Sequence, residues 1–302
     1  MKETKTLKKA GEHIRKAFDF YQQKYRALLF VSGIIIVPSL LVSIFSQKEV
    51  MLSVVHTFGF FFTLFCGAVL GILFIVISSW GQIALMYMVK DSDDKLTPSH
   101  AFNLAWGKLM SYWWVMFLIG FLVLGGIMLF IVPGFLFAIW FSMAYFVLVA
   151  EDEKGMNALL KSREYVKGRA LSVFWRYLVL SFCTLLFGIP VSILFGSIPE
   201  PWGGIITQNV FSFFVVPFNV VYMFLIYRDL VEAKGEFSFA PQQKTKRIFI
   251  ALGWLGILLP IILIISLWKF LPPEKLNMFI PPKIDMTQKS INSLSSVIIP
   301  FI

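Results

Sequence analysis

The side chains able to do chemistry are few and far apart. His13, His56 and His100 sit in three different stretches, whereas two histidines of a metal site lie a few residues apart or on facing helices. Asp91, Asp93 and Asp94 cluster, but a calcium loop also needs a turn glycine and a terminal glutamate, which this stretch lacks. Glu151-Asp152-Glu153 precedes a helical segment, where carboxylates complement the helix dipole, so topology explains the triplet without metal or catalysis. Serines are plentiful, yet no base accompanies them in a nucleophile-base-orienter pattern. Cys66 and Cys183 fall inside apolar runs, with neither metal-ligand spacing nor a disulfide framework, and read as small packing residues. These patterns predict a non-enzymatic chain without a metal or cofactor.

The elements that carry these residues are membrane helices. Apolar residues make up 58% of the 302 and charged residues 15%, against about a quarter charged in a soluble chain. The excess is packed into runs longer than the ~18–20 residues that cross a bilayer. None of the 17 Asp and Glu falls within a predicted span core, which argues against an ion-coupled transporter. Asn209, Asn219, Gln82 and the proline kinks at Pro190 and Pro217 are what remains for a polar pathway. Asparagines beside prolines more commonly satisfy freed backbone groups. The net charge of +10 lies in segments flanking the apolar runs, as topology determinants do, and no nucleic-acid motif accompanies it.

Residues 5–26 form an amphipathic helix, with Leu7, Ala10, Ile14, Ala17, Phe18, Tyr21 and Tyr25 on one face. Lys5, Lys8, Lys9, Glu12, Arg15 and Lys16 occupy the other, suited either to anionic headgroups or to the ends of other spans. No cleavable signal is expected, since the first apolar run begins near Ala27 behind this basic segment. Span one covers about 27–46, with Pro38 as a kink. Span two runs from near His56 to Val89, long enough to project from the bilayer or break at Trp80-Gly81. Gly59, Thr63, Gly67 and Gly71 fall four apart on it, a helix-packing stripe within the chain or a homodimer seam. Thr97-Pro98 starts the next helix. Span three (111–131) turns at Val132-Pro133-Gly134 into span four, which ends near Ala150. An amphipathic helix at 156–168 precedes span five (170–195), where Arg176 snorkels. Spans six (208–227) and seven (248–270) follow, then a tail with a possible short helix at 286–298.

With the N-terminus in the cytoplasm, 22 of the 27 Lys and Arg lie inside, satisfying the positive-inside rule and leaving the C-terminus outside. Aligning Gly107 with Gly168 places Lys108 on Arg169, Ser111 on Ser172 and Trp114 on Trp175. The same frame puts Lys24 on Lys108. The predicted architecture is therefore an all-α polytopic helix bundle with a six-span domain at 1–235. It comprises three hairpin units (about 5–89, 97–150 and 155–229), each led by an amphipathic interfacial helix. A linker (236–247), a seventh span (248–270) and an outer tail (271–302) follow.

The run 132–176, with Pro133-Gly134, Gly155, Ala158-Leu159, Ser162, Val166, Gly168-Arg169 and Trp175, resembles a bacterial and archaeal family of six-span membrane proteins. That family includes the membrane domain of some glycerophosphoryl diester phosphodiesterases. The resemblance implies a fold and a membrane location, with little chemistry; span seven and the tail depart from the six-span pattern. The leading expectation is a cell-membrane protein contacting anionic lipid, or scaffolding partners, through Lys8, Lys9, Arg15, Lys16, Lys108, Lys161, Arg163, Lys167 and Arg169. The alternative is a carrier of an apolar or lipid-like solute. Membrane-protein partners or a homo-oligomer fit either reading.

Overall fold

The computed structural model describes residues 10–91, 95–235, 239 and 243–270, so Lys8, Lys9 and the possible helix at 286–298 lie outside the described residues. Among the described residues every regular element is an α-helix: α1 (Ala10–Phe45), α2 (Lys48–Phe58), α3 (Phe60–Lys90), α4 (Pro98–Trp106), α5 (Leu109–Leu129) and α6 (Ile131–Phe141). After these come α7 (Ala144–Glu151), α8 (Met156–Val166), α9 (Ala170–Phe195), α10 (Trp202–Lys234) and α11 (Gln243–Phe270). Among the described residues seven helical stretches are long and apolar enough to cross a membrane, with α6 and α7 together making one of them. This is a multi-pass membrane protein. The chain divides into two units, 1–256 and 257–302; the described part of the second, 257–270, is helix containing Pro260.

The first amphipathic segment and span one are joined end to end, interrupted only at Lys24 (φ −111°, ψ 15°). The segment's buried face is rotated from the expected one. His13, Ala17, Lys24 and Leu28 are buried, while Phe18 and Tyr25 are 52% and 43% exposed. The apolar moment alone did not find this face because a polar pair, His13 with Asp229, anchors it to α10.

Span two begins later than expected. The predicted start near His56 belongs to α2, whose residues are all at least partly exposed, and Gly59 (φ +86°) separates it from α3. A positive φ of this kind suits glycine. α3 then runs unbroken through Trp80-Gly81 for 31 residues, about 46 Å. Ile35 of α1 occupies the space a Cβ at Gly81 would need, so this glycine permits a close helix crossing. The Trp80 indole donates to the Phe102 carbonyl at 2.7 Å, tying α3 to α4. Thr97 caps α4 as expected, accepting from the His100 amide at 3.4 Å.

The turn between α5 and α6 is tighter than expected and earlier. Phe130 alone is extended (φ −162°, ψ 150°), and Val132-Pro133-Gly134 forms the first turn of α6. Gly126 and Gly134 face each other, and a Cβ on Gly126 would come within 2.7 Å of the Gly134 Cα. Span four is interrupted at Ser142–Met143, where the main-chain groups need partners inside the bundle. Ser162 of α8 supplies them. Its hydroxyl donates to the Trp140 carbonyl (2.7 Å) and accepts from the Met143 amide (3.2 Å). α8 therefore packs into the bundle end, with Met156, Leu159, Leu160, Tyr165 and Val166 buried.

The three aligned basic residues share one conformation. Lys24 (φ −111°, ψ 15°), Lys108 (φ −104°, ψ −5°) and Arg169 (φ −129°, ψ 12°) each join an amphipathic helix to a span. Each reaches the C-terminal end of the second membrane stretch in its own unit. Lys24 donates to the Asp91 carbonyl, Lys108 to the Asp152 carboxylate, and Arg169 to the Ala233 carbonyl at 3.3 Å. A cation at a helix C-terminus meets the negative end of its dipole and its unpaired carbonyls. α11 joins the first unit only as far as Gly256, where it crosses α5 so closely that Gly125 and Gly256 leave no room for side chains.

Candidate functional site

The end of the bundle carrying α4 and α8 is closed by paired charges. Lys161 bonds Glu151 (2.6 Å) and Glu153 (3.2 Å) and lies over the Phe239 ring. Burial lowers the Lys161 pKa, but the two carboxylates outweigh it and hold the ammonium above the ordinary lysine range. Glu151 also accepts from Tyr165 (2.9 Å) and Tyr227, linking α7, α8 and α10. Asp152 is left-handed (φ 58°) at the end of α7, and the hydrogen bond from Lys108 holds its carboxyl below the usual range. The Arg163 guanidinium lies 4.9 Å from the Trp140 ring centre and 5.3 Å from that of Phe249.

Of the residues expected to contact lipid headgroups, Lys108, Lys161, Arg163 and Arg169 are thus engaged within the chain. Arg15, Lys16 and Lys167 are exposed. On the glycine stripe, Thr63 bonds back to the Gly59 carbonyl (3.0 Å) and Gly67 faces Phe45 at 3.5 Å. Gly59 and Gly71 meet nothing within 4 Å, and Gly59 lies at the helix break rather than within the helix.

A buried polar cluster joins α1, α9 and α10. His13 Nε2 is 3.0 Å from Asp229 Oδ2, and the two side chains are 2% and 7% exposed. Tyr222 packs edge-on to His13 and donates to the Arg176 carbonyl at 3.3 Å. The Arg176 guanidinium, in electrostatic reach of Asp229 and Tyr222, donates to the Ser172 carbonyl at 2.7 Å. Arg176 is 6% exposed, so it is buried against its neighbours instead of snorkelling. Asp229 lies past the expected end of span six because α10 continues to Lys234.

Among the described residues the seam between α9 and α10 is open. A groove of about 740 Å³ runs along it, lined by Ser181, Thr184, Leu185, Gly188, Ser192, Phe211 and Asn219. Such a volume falls in the range of small-molecule sites. Gly188, Ser192 and Phe211 also line a second recess of about 430 Å³ towards the α9–α10 turn, with Glu200, Gly204, Thr207 and Gln208. Thr184 is shared with a third, aromatic recess of about 340 Å³ beside Phe18, Tyr21, Phe187 and Phe218.

Two residues that line these spaces carry unsatisfied polar atoms. Asn219 Oδ1 and the Tyr21 hydroxyl are inaccessible to bulk water and have no hydrogen-bond partner among the described residues. A buried acceptor left unpaired costs roughly 1–3 kcal/mol, so rotation of the Asn219 amide towards a ligand donor in the groove would relieve it. The other pathway candidates are already used. Asn209 bonds the Ile205 carbonyl (2.8 Å) and accepts from Ser39, and Gln82 accepts from Tyr112 (2.8 Å).

Sequence reasoning found Asn219 and missed the wall opposite. Ser181, Thr184, Gly188 and Ser192 recur at spacings of three, four and four, so small and hydroxyl residues follow one face of an apolar span. That periodicity was the available signal. Among the described residues no group of three or more His, Cys, Asp and Glu is placed to hold a metal ion. The fold and the groove define a multi-pass helical membrane protein with a cleft between α9 and α10. Comparison with family models, curated proteins and solved structures finds no match.

Proposed function

We propose that this chain is a non-enzymatic membrane protein that holds, and carries, a lipid-like amphiphile in the α9–α10 groove. One observation carries the reading: an apolar cleft in a membrane hairpin is lined by Asn219, whose buried Oδ1 has no hydrogen-bond partner. The apolar wall of Leu185, Ile189, Ile193 and Phe211 suits an acyl chain, while the hydroxyls of α9 suit a more polar part. The positive-inside pattern supports a cell-membrane location with the N-terminus in the cytoplasm and the C-terminus outside. The turn between α9 and α10 then faces outward, so the groove opens towards the outer leaflet.

The exposed Arg15, Lys16 and Lys167 support contact with anionic headgroups at the inner surface as a second, peripheral lipid interaction. The resemblance of 132–176 to the six-span family supports the same membrane role without adding a reaction.

Native mass spectrometry of the protein released from mild detergent tests the groove. The wild type retains a bilayer-derived amphiphile. Gly188→Leu, which fills the cleft against Phe211, loses about tenfold of it, the effect of removing roughly 1.4 kcal/mol of binding. Gly120→Leu, in open space on α5, keeps it. Equal retention by all three proteins rules the groove out.

A further inference from the structure

We infer that the outer mouth of this groove selects an amphiphile with a positively charged amine head; the inference rests on the groove being a lipid-like site. Glu200 supplies the only formal charge among the residues lining the mouth. Its carboxylate lies beside the first turn of α10. The space a Cβ would fill at Gly204 lies 3.1 Å from Glu200 Oε2 and 3.5 Å from Oε1, so the absence of a side chain lets the carboxylate lie against the helix.

The remaining polar side chains of the mouth, Ser192, Thr207 and Gln208, are neutral and offer acceptor oxygens. No lysine or arginine lines the mouth or the neighbouring groove. No Lys or Arg occurs between Arg176 and Arg228 in the sequence. A phosphate or carboxylate head would meet a like charge with no cation to offset it. An ammonium supplies three donors and the complementary charge, and neither proton nor bond changes hands on binding.

The division of labour follows the helix axis. Gln208 and Asn219 are eleven positions apart on α10, about 16 Å, or roughly half the ~30 Å hydrocarbon core. The charged head therefore sits at the mouth, while Asn219 meets the buried part of the molecule.

Long-chain alkylamine and fatty acid of equal length are the probes, with binding to the full chain measured in an uncharged maltoside detergent. The wild type binds the amine more tightly. Glu200→Gln weakens amine binding about fivefold, the upper range for an exposed ion pair, and leaves the fatty acid unchanged or tighter. Glu200→Lys reverses the preference. Glu200 is exposed in the α9–α10 turn, so these substitutions leave the fold intact, which the melting temperature checks.

Equal binding of the two probes by the wild type, or tighter binding of the acid, overturns the headgroup assignment while leaving the groove itself in place. An amine preference that survives Glu200→Gln also overturns it, because the selectivity then arises elsewhere. Binding of neither probe, combined with no retained bilayer amphiphile, overturns both the assignment and the groove reading.

Discussion

The second and third hairpins begin alike and end differently. Lys108 before α5 and Arg169 before α9 share a backbone conformation and reach the far end of their own hairpin. Beyond that point α5 and α6 close on each other. Gly126 and Gly134 remove the side chains between them, and the turn is a single extended residue, Phe130. α9 and α10 stay splayed over a shorter shared interface, with Phe211 facing Gly188 and Pro190 and Pro217 each removing a helical N–H. One hairpin buries backbone against backbone, and its counterpart leaves a lined groove. Similar latches thus support two different uses of a helical pair.

The largest effect should come from forcing the closed hairpin open. Gly134→Leu places side-chain atoms where the Ile127 backbone lies, so its cost should exceed about 3 kcal/mol, the upper end of ordinary overpacking. Denaturant or thermal unfolding in detergent checks this. Gly188→Leu, made at the open hairpin, should change stability by less than about 1 kcal/mol, because only the edge of Phe211 must give. Similar losses for both variants would erase the contrast.

Asp229→Ala should cost about 3 kcal/mol, since it leaves His13 and Arg176 buried without the carboxylate that attaches α1 to α10. A loss below about 1 kcal/mol would mean the pair does not hold the first hairpin to the third. Ser162→Ala should cost about 1–2 kcal/mol, because the Trp140 carbonyl and Met143 amide lose their partner at the break in span four.

The smallest effects belong to the outer ion pairs. Asp152 has its folded pKa depressed by Lys108, so its contribution is present above the ordinary value of about 3.9 and is lost as pH falls through the depressed value. Lys161 has its pKa raised, so its contribution is full below about 10.4 and is lost as pH rises through the raised value. Lys108→Gln should therefore flatten the acid side of a melting-temperature profile and leave the alkaline side alone. Its cost at neutral pH should stay below about 1 kcal/mol.

Membrane spans were legible because their apolar runs contrast with charged flanks, and Thr97-Pro98 marked a helix start that the structure keeps. The break at Ser142–Met143 was not legible, since apolar residues flank it and its stabilising partner, Ser162, lies twenty residues away. The orientation of the first helix was misread for a related reason. Hydrophobic periodicity ranks His13 and Lys24 as polar, whereas pairing with Asp229 and the Asp91 carbonyl makes their burial favourable. The basic residues mark the flanks of the apolar runs, but a linear sequence does not reveal that Lys108 and Lys161 find carboxylates within the chain. The groove lies between these cases: Asn219 stands out in the sequence as a polar residue within a span, whereas the small and hydroxyl residues of α9 are spread one per turn through an apolar run.

The central claim is that α9 and α10 hold an amphiphile where α5 and α6 hold only each other. A photoreactive long-chain amine, activated in proteoliposomes and mapped by peptide mass spectrometry, tests it directly. Adducts should concentrate on residues 181–193 of α9 and 204–219 of α10, and excess unlabelled amine should suppress them. Adducts spread evenly over the exposed faces of α3, α5 and α9, and insensitive to competitor, would contradict it.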